Sequence, residues 1–242
     1  VYVITAKALA TGHGYRYIHL PGAPAATHYP PLWPLLLSLV WRIVPAFPDN
    51  VRWMKFLNPI LLAAAAAGVA LLAIRVARIP RWIAAAIGAA TVIVAPMLLL
   101  SAVLMSEPLC LALAAPALAA ATLVVLRGRT NDALVAGALA GLAILARSAA
   151  IVLLPSLAIG LCWPRSRRAS VLAIAVALAL TVPWFVWSAA HAHELGPALI
   201  GSYGPYAGWV VDGYRADPAF MPAVIAHSAG TMFREIGVVV FG

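Results

Sequence analysis

Two charged side chains stand apart from the rest of this sequence. Glu107 sits in Ser106-Glu107-Pro108, between two long apolar runs with no other charge nearby. Arg147 interrupts an otherwise apolar stretch from Leu134 to Trp163. Ionisable groups near membrane depth are costly to place and mark function by default. A carboxylate can take a proton from a hydroxyl. A guanidinium can grip a phosphate through two parallel hydrogen bonds. Each residue also has a plainer reading. Ser106 or Glu107 could cap a helix whose first turn holds Pro108, and Arg147 could be a snorkelling topology marker.

Other polar groups are less isolated. His13, His19 and His28 share one loop, but their spacing matches no zinc signature. Hydrogen bonding to a polar substrate, or a plain interfacial loop, suits them better. Lys7 lies on an amphipathic stretch, Val1 to Ala10, where a solvated headgroup position is the ordinary reading. Tyr2, Tyr15, Tyr17, Trp33 and Trp53 read as an interface belt. Cys110 and Cys162, the only two cysteines, lie in apolar runs and make neither a disulfide scaffold nor a metal motif. There is no Gly-rich nucleotide loop and no Ser-His-Asp pattern.

The elements that must position these groups belong in a membrane. Hydrophobic residues make up 64% of the chain and charged residues 10%, with a mean hydropathy of +0.99. Soluble domains carry about a quarter charged residues. So little polar surface cannot cover a core in water, and in lipid long apolar runs must be helices. The net charge of +9 comes mostly from arginines flanking apolar runs. No basic patch is interleaved with aromatics, so nucleic acid is not the expected partner.

Read along the chain, residues 1–57 are mixed. An amphipathic helix ends at Thr11-Gly12-His13-Gly14. An aromatic and histidine-bearing loop follows, then Pro30-Pro31-Leu32-Trp33-Pro34 and an apolar run to Val44. That run is short for a span and reads as an interfacial helix anchored by Trp33, Trp41 and Arg42. Residues 58–187 hold about six candidate spans: Pro59 to Ile74, Trp82 to Met105, Leu109 to Leu126, Ala133 to Ala146, Ala149 to Trp163 and Val171 to Trp187. Basic clusters fall at every second junction, at 75–81, 127–129 and 165–168. The positive-inside rule puts these in the cytoplasm. Glu107, Arg147, residues 1–57 and the segment after 188 then share the other face. Residues 188–242 read as a polar-aromatic loop, including Gly201-Ser202-Tyr203-Gly204-Pro205-Tyr206, leading into a further membrane-associated helix. The expected protein is multi-pass, integral to the plasma (inner) membrane and in contact with its lipids. Both ends read as cut, so the chain is expected to be a fragment.

The order of these features carries a resemblance. Tyr2…Ala6…Leu9-Ala10-Thr11-Gly12-His13-Gly14 is followed by His28-Tyr29-Pro30-Pro31-Leu32-Trp33-Pro34. Then come the basic turn 75–81, Ser106-Glu107-Pro108-Leu109, Arg147 and Pro183-Trp184. This set resembles the GT-C membrane glycosyltransferases, nearest the branch of protein O-mannosyltransferases and lipid A aminoarabinose transferases, over nearly the whole chain. The resemblance implies an all-α, multi-span bundle with juxtamembrane helices in a first extracytoplasmic loop. It implies a polyprenyl-phosphate-linked sugar as donor and an acceptor (lipid, glycan or protein) on the same face. Glu107 matches the family's second acid, and Arg147 matches a basic residue after the fifth span. His28 and Lys7 would join Arg147 at the donor phosphate, and Tyr29, Tyr203 and Tyr206 would form the acceptor and donor loops. The family's principal catalytic Asp would lie a few residues upstream of Val1. Some relatives use a divalent metal, for which Glu107 would be the oxygen ligand. The aminoarabinose transferases carry Lys-Pro where this chain has Pro30-Pro31, which argues against the same acceptor. The rival expectation is a transporter or lipid flippase, which calls for inverted repeats with charged, broken helices at mid-membrane. No such symmetry is visible here.

Overall fold

A computed structural model describes residues 1–241; the side chains at 95, 96, 197, 198, 206, 207, 209 and 235–241 lie outside that description. Helices account for 78% of the chain. The described residues contain no strand beyond one isolated bridge between Arg16 and Ala25, so the all-α expectation holds. In order the helices are α1 (Tyr2–Ala10), α2 (Leu32–Ile43), α3 (Asp49–Arg75), α4 (Arg81–Ile93), α5 (Ala95–Ala102), α6 (Glu107–Arg127) and α7 (Thr130–Ala146). Then come a 3-10 turn, α8 (Leu153–Ala158), a second 3-10 turn, α9 (Pro164–Ala190), α10 (Pro197–Tyr203), α11 (Tyr206–Ala216) and α12 (Phe220–Phe241).

Among the described residues three helical runs are long and apolar enough to cross a membrane: Asp49–Arg75, Glu107–Arg127 and Pro164–Glu194. The other apolar segments are shorter. The run from Trp82 to Met105, expected as one span, is broken at Val94, whose ψ of 142 is extended. Pro96 follows two residues later in the sequence, and a proline has no backbone N–H to continue the helix. The run from Ala149 to Trp163 is likewise not one α-helix. It folds as 3-10, α and 3-10 pieces.

Small residues let the long helices meet. Ala133, Ala136, Ala140 and Ala143 form one buried face of α7, against Ala169, Ala173 and Ala177 of α9. A Cβ on Gly137 would run into the Ala173 carbonyl oxygen, so the two backbones are already in contact there. A second cluster sits at the other end of α7. It joins Tyr2 and Ala6 of α1, Trp33, Leu37 and Trp41 of α2, Met54 of α3, Leu109 of α6 and Ala146. Trp33 and Trp41 are therefore buried packing anchors, not interfacial ones; the outward face of α2 is Leu35, Leu39 and Ile43. The segment 197–216, expected as a loop, is largely helical.

Candidate functional site

The turn between α6 and α7 decides where Glu107 and Arg147 go. Gly128 ends α6 in the left-handed conformation, φ 65, and the chain reverses at once into α7. Two antiparallel helices of similar length bring the start of the first beside the end of the second. Glu107 opens α6 and Arg147 closes α7, and their side chains meet at 2.7 Å. Each charge also suits its helix terminus, the acid at an N-terminus and the base at a C-terminus. The pair is half-buried, with the Glu107 side chain 19% and the Arg147 side chain 40% exposed. Arg147 binds Oε1, while Oε2 of Glu107 is buried without a hydrogen-bond partner.

The approach to Glu107 is fixed by Asn58 of α3. Its Nδ2 donates to the carbonyls of Ser101 (2.9 Å) and Val103 (2.8 Å), where α5 ends and no helical N–H remains to serve them. Ser106 occupies the cap position of α6 but makes no side-chain cap bond. Its hydroxyl lies 3.2 Å from the Tyr2 hydroxyl, a buried bond from α1 to the mouth of α6. Burial pushes the Tyr2 phenol up to about 12, so it remains a neutral hydrogen-bonding group.

The ion pair stands between two spaces of different character. On one side is a chamber of about 380 Å³ lined by Tyr2, Tyr29, Pro30, Ser106, Arg147 and Ser148. The Tyr2 and Tyr29 rings are 4.9 Å apart, and His28 stands edge-on to Tyr29 at 4.4 Å. On the other side is a groove of about 390 Å³ whose walls include Met97, Leu111, Leu118, Val152 and Leu153. Among the described residues, Glu107 and Arg147 are the only charged groups in its lining. A polar head in the chamber and a hydrocarbon tail in the groove would therefore meet at the same guanidinium.

A third cavity of about 210 Å³ adjoins the chamber through Ser148, with Thr27, His28, Trp184 and Ser188 in its wall. Its lip is tied down by three hydrogen bonds. His28 donates from Nδ1 to the Gly204 carbonyl at 2.6 Å, Thr27 donates to the Tyr203 carbonyl at 3.2 Å, and Ser188 donates to the Thr27 carbonyl at 2.8 Å. Farther out, one oxygen of Glu194 accepts from Arg16 (3.1 Å) and from the Ala25 amide (3.0 Å). The first loop is thus clamped to the end of α9.

The expected site residues divide into two groups. The structure brings Glu107, Arg147 and Tyr29 to one place, with His28 at the adjoining cavity. Lys7 lines none of these spaces. It is exposed, its ammonium 5.9 Å from the Trp41 ring centre, because Ala6 and Ala8 occupy the buried side of α1. Tyr203 packs edge-on to Tyr17 at 5.0 Å and contributes its backbone carbonyl to the lip. The Tyr206 side chain lies outside the described residues. Two contributors have a different reading in the sequence: Tyr2 as interface belt and Ser106 as a cap. The one signal for Tyr2 is that it falls on the same helical face as Ala6.

The residues present do not by themselves fit a divalent metal. Glu107 is the one acid at the junction, a guanidinium already holds one of its oxygens, and no group of three His, Cys, Asp or Glu occurs among the described residues. No protein-family model, curated protein or solved structure matches this chain.

Proposed function

We propose that this chain carries the site of a membrane glycosyltransferase that moves a sugar from a polyprenyl phosphate to an acceptor hydroxyl. One observation carries the reading: a carboxylate–guanidinium pair stands where a chamber lined by tyrosines and serines meets an apolar groove. Such a junction suits a substrate with a charged head and a long hydrocarbon tail. In this reading the protein is multi-pass, and the junction faces away from the arginine clusters.

The polyprenyl chain lies along Leu111, Leu118 and Leu153, and its phosphate exchanges onto Arg147. The sugar enters the chamber beside the Tyr2 and Tyr29 rings. The acceptor oxygen attacks the anomeric carbon on the face opposite the phosphate, so the reaction inverts. The bond from that carbon to the phosphate oxygen breaks, and the electron pair leaves with the phosphate. The guanidinium stabilises the charge gathering there. The acceptor proton passes to the Glu107 carboxylate, the one acid at the junction among the described residues. Glu107 Oε2 has no hydrogen-bond partner to lose, and Glu107 orients the acceptor or the phosphate as Arg147 shifts.

The test is transfer from a radiolabelled polyprenyl-phosphate sugar by membranes holding the full-length protein. Glu107→Gln and Arg147→Ala should each lower transfer by about a hundredfold or more. Wild-type rates in both variants discard these roles. Movement of the labelled lipid across the bilayer with its sugar bond intact would point to a flippase.

A further inference from the structure

The opposite end of the bundle holds a second site. Arginines cluster there at 75–81, 127–129 and 165–168, and Asp132, in the first turn of α7, is an acid among them. It would be expected to pair with one of these neighbours. Among the described residues it forms no ion pair, and its Oδ2 is buried with no hydrogen-bond partner. A buried carboxylate oxygen without a donor is costly, and a favourable helix terminus does not supply the missing hydrogen bond.

Asp132 borders a slot of about 190 Å³ between α3, α6 and α7. Arg75 lies in the same lining, and the remaining wall is hydrocarbon, including Leu71, Pro116, Leu123 and Leu139. Val135, also in the wall, is exposed, so the slot opens on the apolar outer surface. An occupant complementary to this lining brings a hydrogen-bonding cation to Asp132, an anion to Arg75 and an alkyl chain to the wall. One common membrane molecule has all three: a phospholipid whose phosphodiester carries a primary ammonium. A purely anionic lipid would satisfy Arg75 but bring no cation to Asp132. A choline headgroup brings charge but no N–H.

We propose that the α3–α6–α7 slot is a binding site for an aminophospholipid, with Asp132 reading the ammonium and Arg75 the phosphate. The site is independent of the transfer reaction and is tested without it. Purified full chain is mixed with phosphatidylethanolamine, its N-methylated forms, phosphatidylcholine or phosphatidylglycerol, and bound lipid is counted by native mass spectrometry. The wild-type protein should retain phosphatidylethanolamine about tenfold better than phosphatidylcholine or phosphatidylglycerol, with retention falling at each N-methylation. Asp132→Asn should abolish that preference while leaving phosphatidylglycerol retention unchanged, and Arg75→Gln should weaken every phospholipid. Equal retention of all headgroups by the wild-type protein overturns the proposal, whatever the variants do. So does a preference that survives Asp132→Asn in a protein of unchanged melting temperature.

Discussion

The Glu107 carboxylate lies 2.7 Å from the Arg147 guanidinium, and Arg147 lines both a tyrosine- and serine-walled chamber and an apolar groove. The pair is both a structural bond between α6 and α7 and the charged centre of the candidate site. These two roles can be separated by experiment.

If the pair stabilises the α6–α7 hairpin, its members are coupled. Removing one leaves the other half-buried and uncompensated, so the second removal should cost less than the first. A double-mutant cycle with Glu107→Gln and Arg147→Gln, read by thermal melting in detergent, should give a coupling of about 0.5–3 kcal/mol. Strict additivity would mean that the contact contributes nothing to the fold.

Tyr2 should make the protein sensitive to alkali. The unfolded phenol titrates at about 10, the ordinary value for a solvated tyrosine, whereas burial moves the folded group up to about 12. The folded state therefore holds this proton more tightly. Its contribution is intact below pH of about 10 and is lost as the pH rises towards 12. Tyr2→Phe should flatten the fall in melting temperature over that window, though not abolish it, because burial also raises Tyr15 and Tyr17. The variant also breaks the bond to Ser106, at a cost of about 1 kcal/mol near neutral pH. Identical alkaline slopes in both proteins would rule out this role for Tyr2.

Helix contact through glycine predicts a sharp positional contrast. At Gly137 an added Cβ meets the Ala173 backbone and Val176, so Gly137→Ala must push α7 from α9 and should lower stability by about 1–3 kcal/mol. At Gly201 in α10 nothing lies within 4 Å of the added atom. Alanine there should be neutral or stabilising by up to about 1 kcal/mol, as in any open helix position. Equal melting temperatures for the two variants would contradict the close α7–α9 packing.

Glu194 should control the first loop without controlling the bundle. Its carboxylate holds both Arg16 and the Ala25 amide. Glu194→Gln weakens charge-assisted bonds worth roughly 1 kcal/mol together, which corresponds to about fivefold faster hydrogen exchange across residues 16–26. Exchange in α6 and α7 should not change. Acceleration spread through the bundle would show that the clamp is part of the core.

Much of this protein follows from local solvation, which a sequence records directly. A charge cannot be left in a long apolar run without reason, so Glu107 and Arg147 stand out from the residue order alone. Apolar length marked α3, α6 and α9, and glycine marked the end of α1. Other features depend on what each face meets, and that is settled only when distant segments pack. Tyr2 lies in the chamber because α1 docks across the mouth of α6. Trp33 and Trp41 turn inward because α2 has a partner at α1 and Met54, which composition alone does not reveal. The break at Val94 has a local cause in Pro96 two residues on, while the run across residues 148–162 folds as 3-10 and α pieces. Among the described residues Asp132 forms no ion pair for the same kind of reason: the sequence puts it among arginines, but helix packing places it at the wall of a slot between α3, α6 and α7. Polarity fixed which residues were exceptional, and packing geometry fixed which of them met.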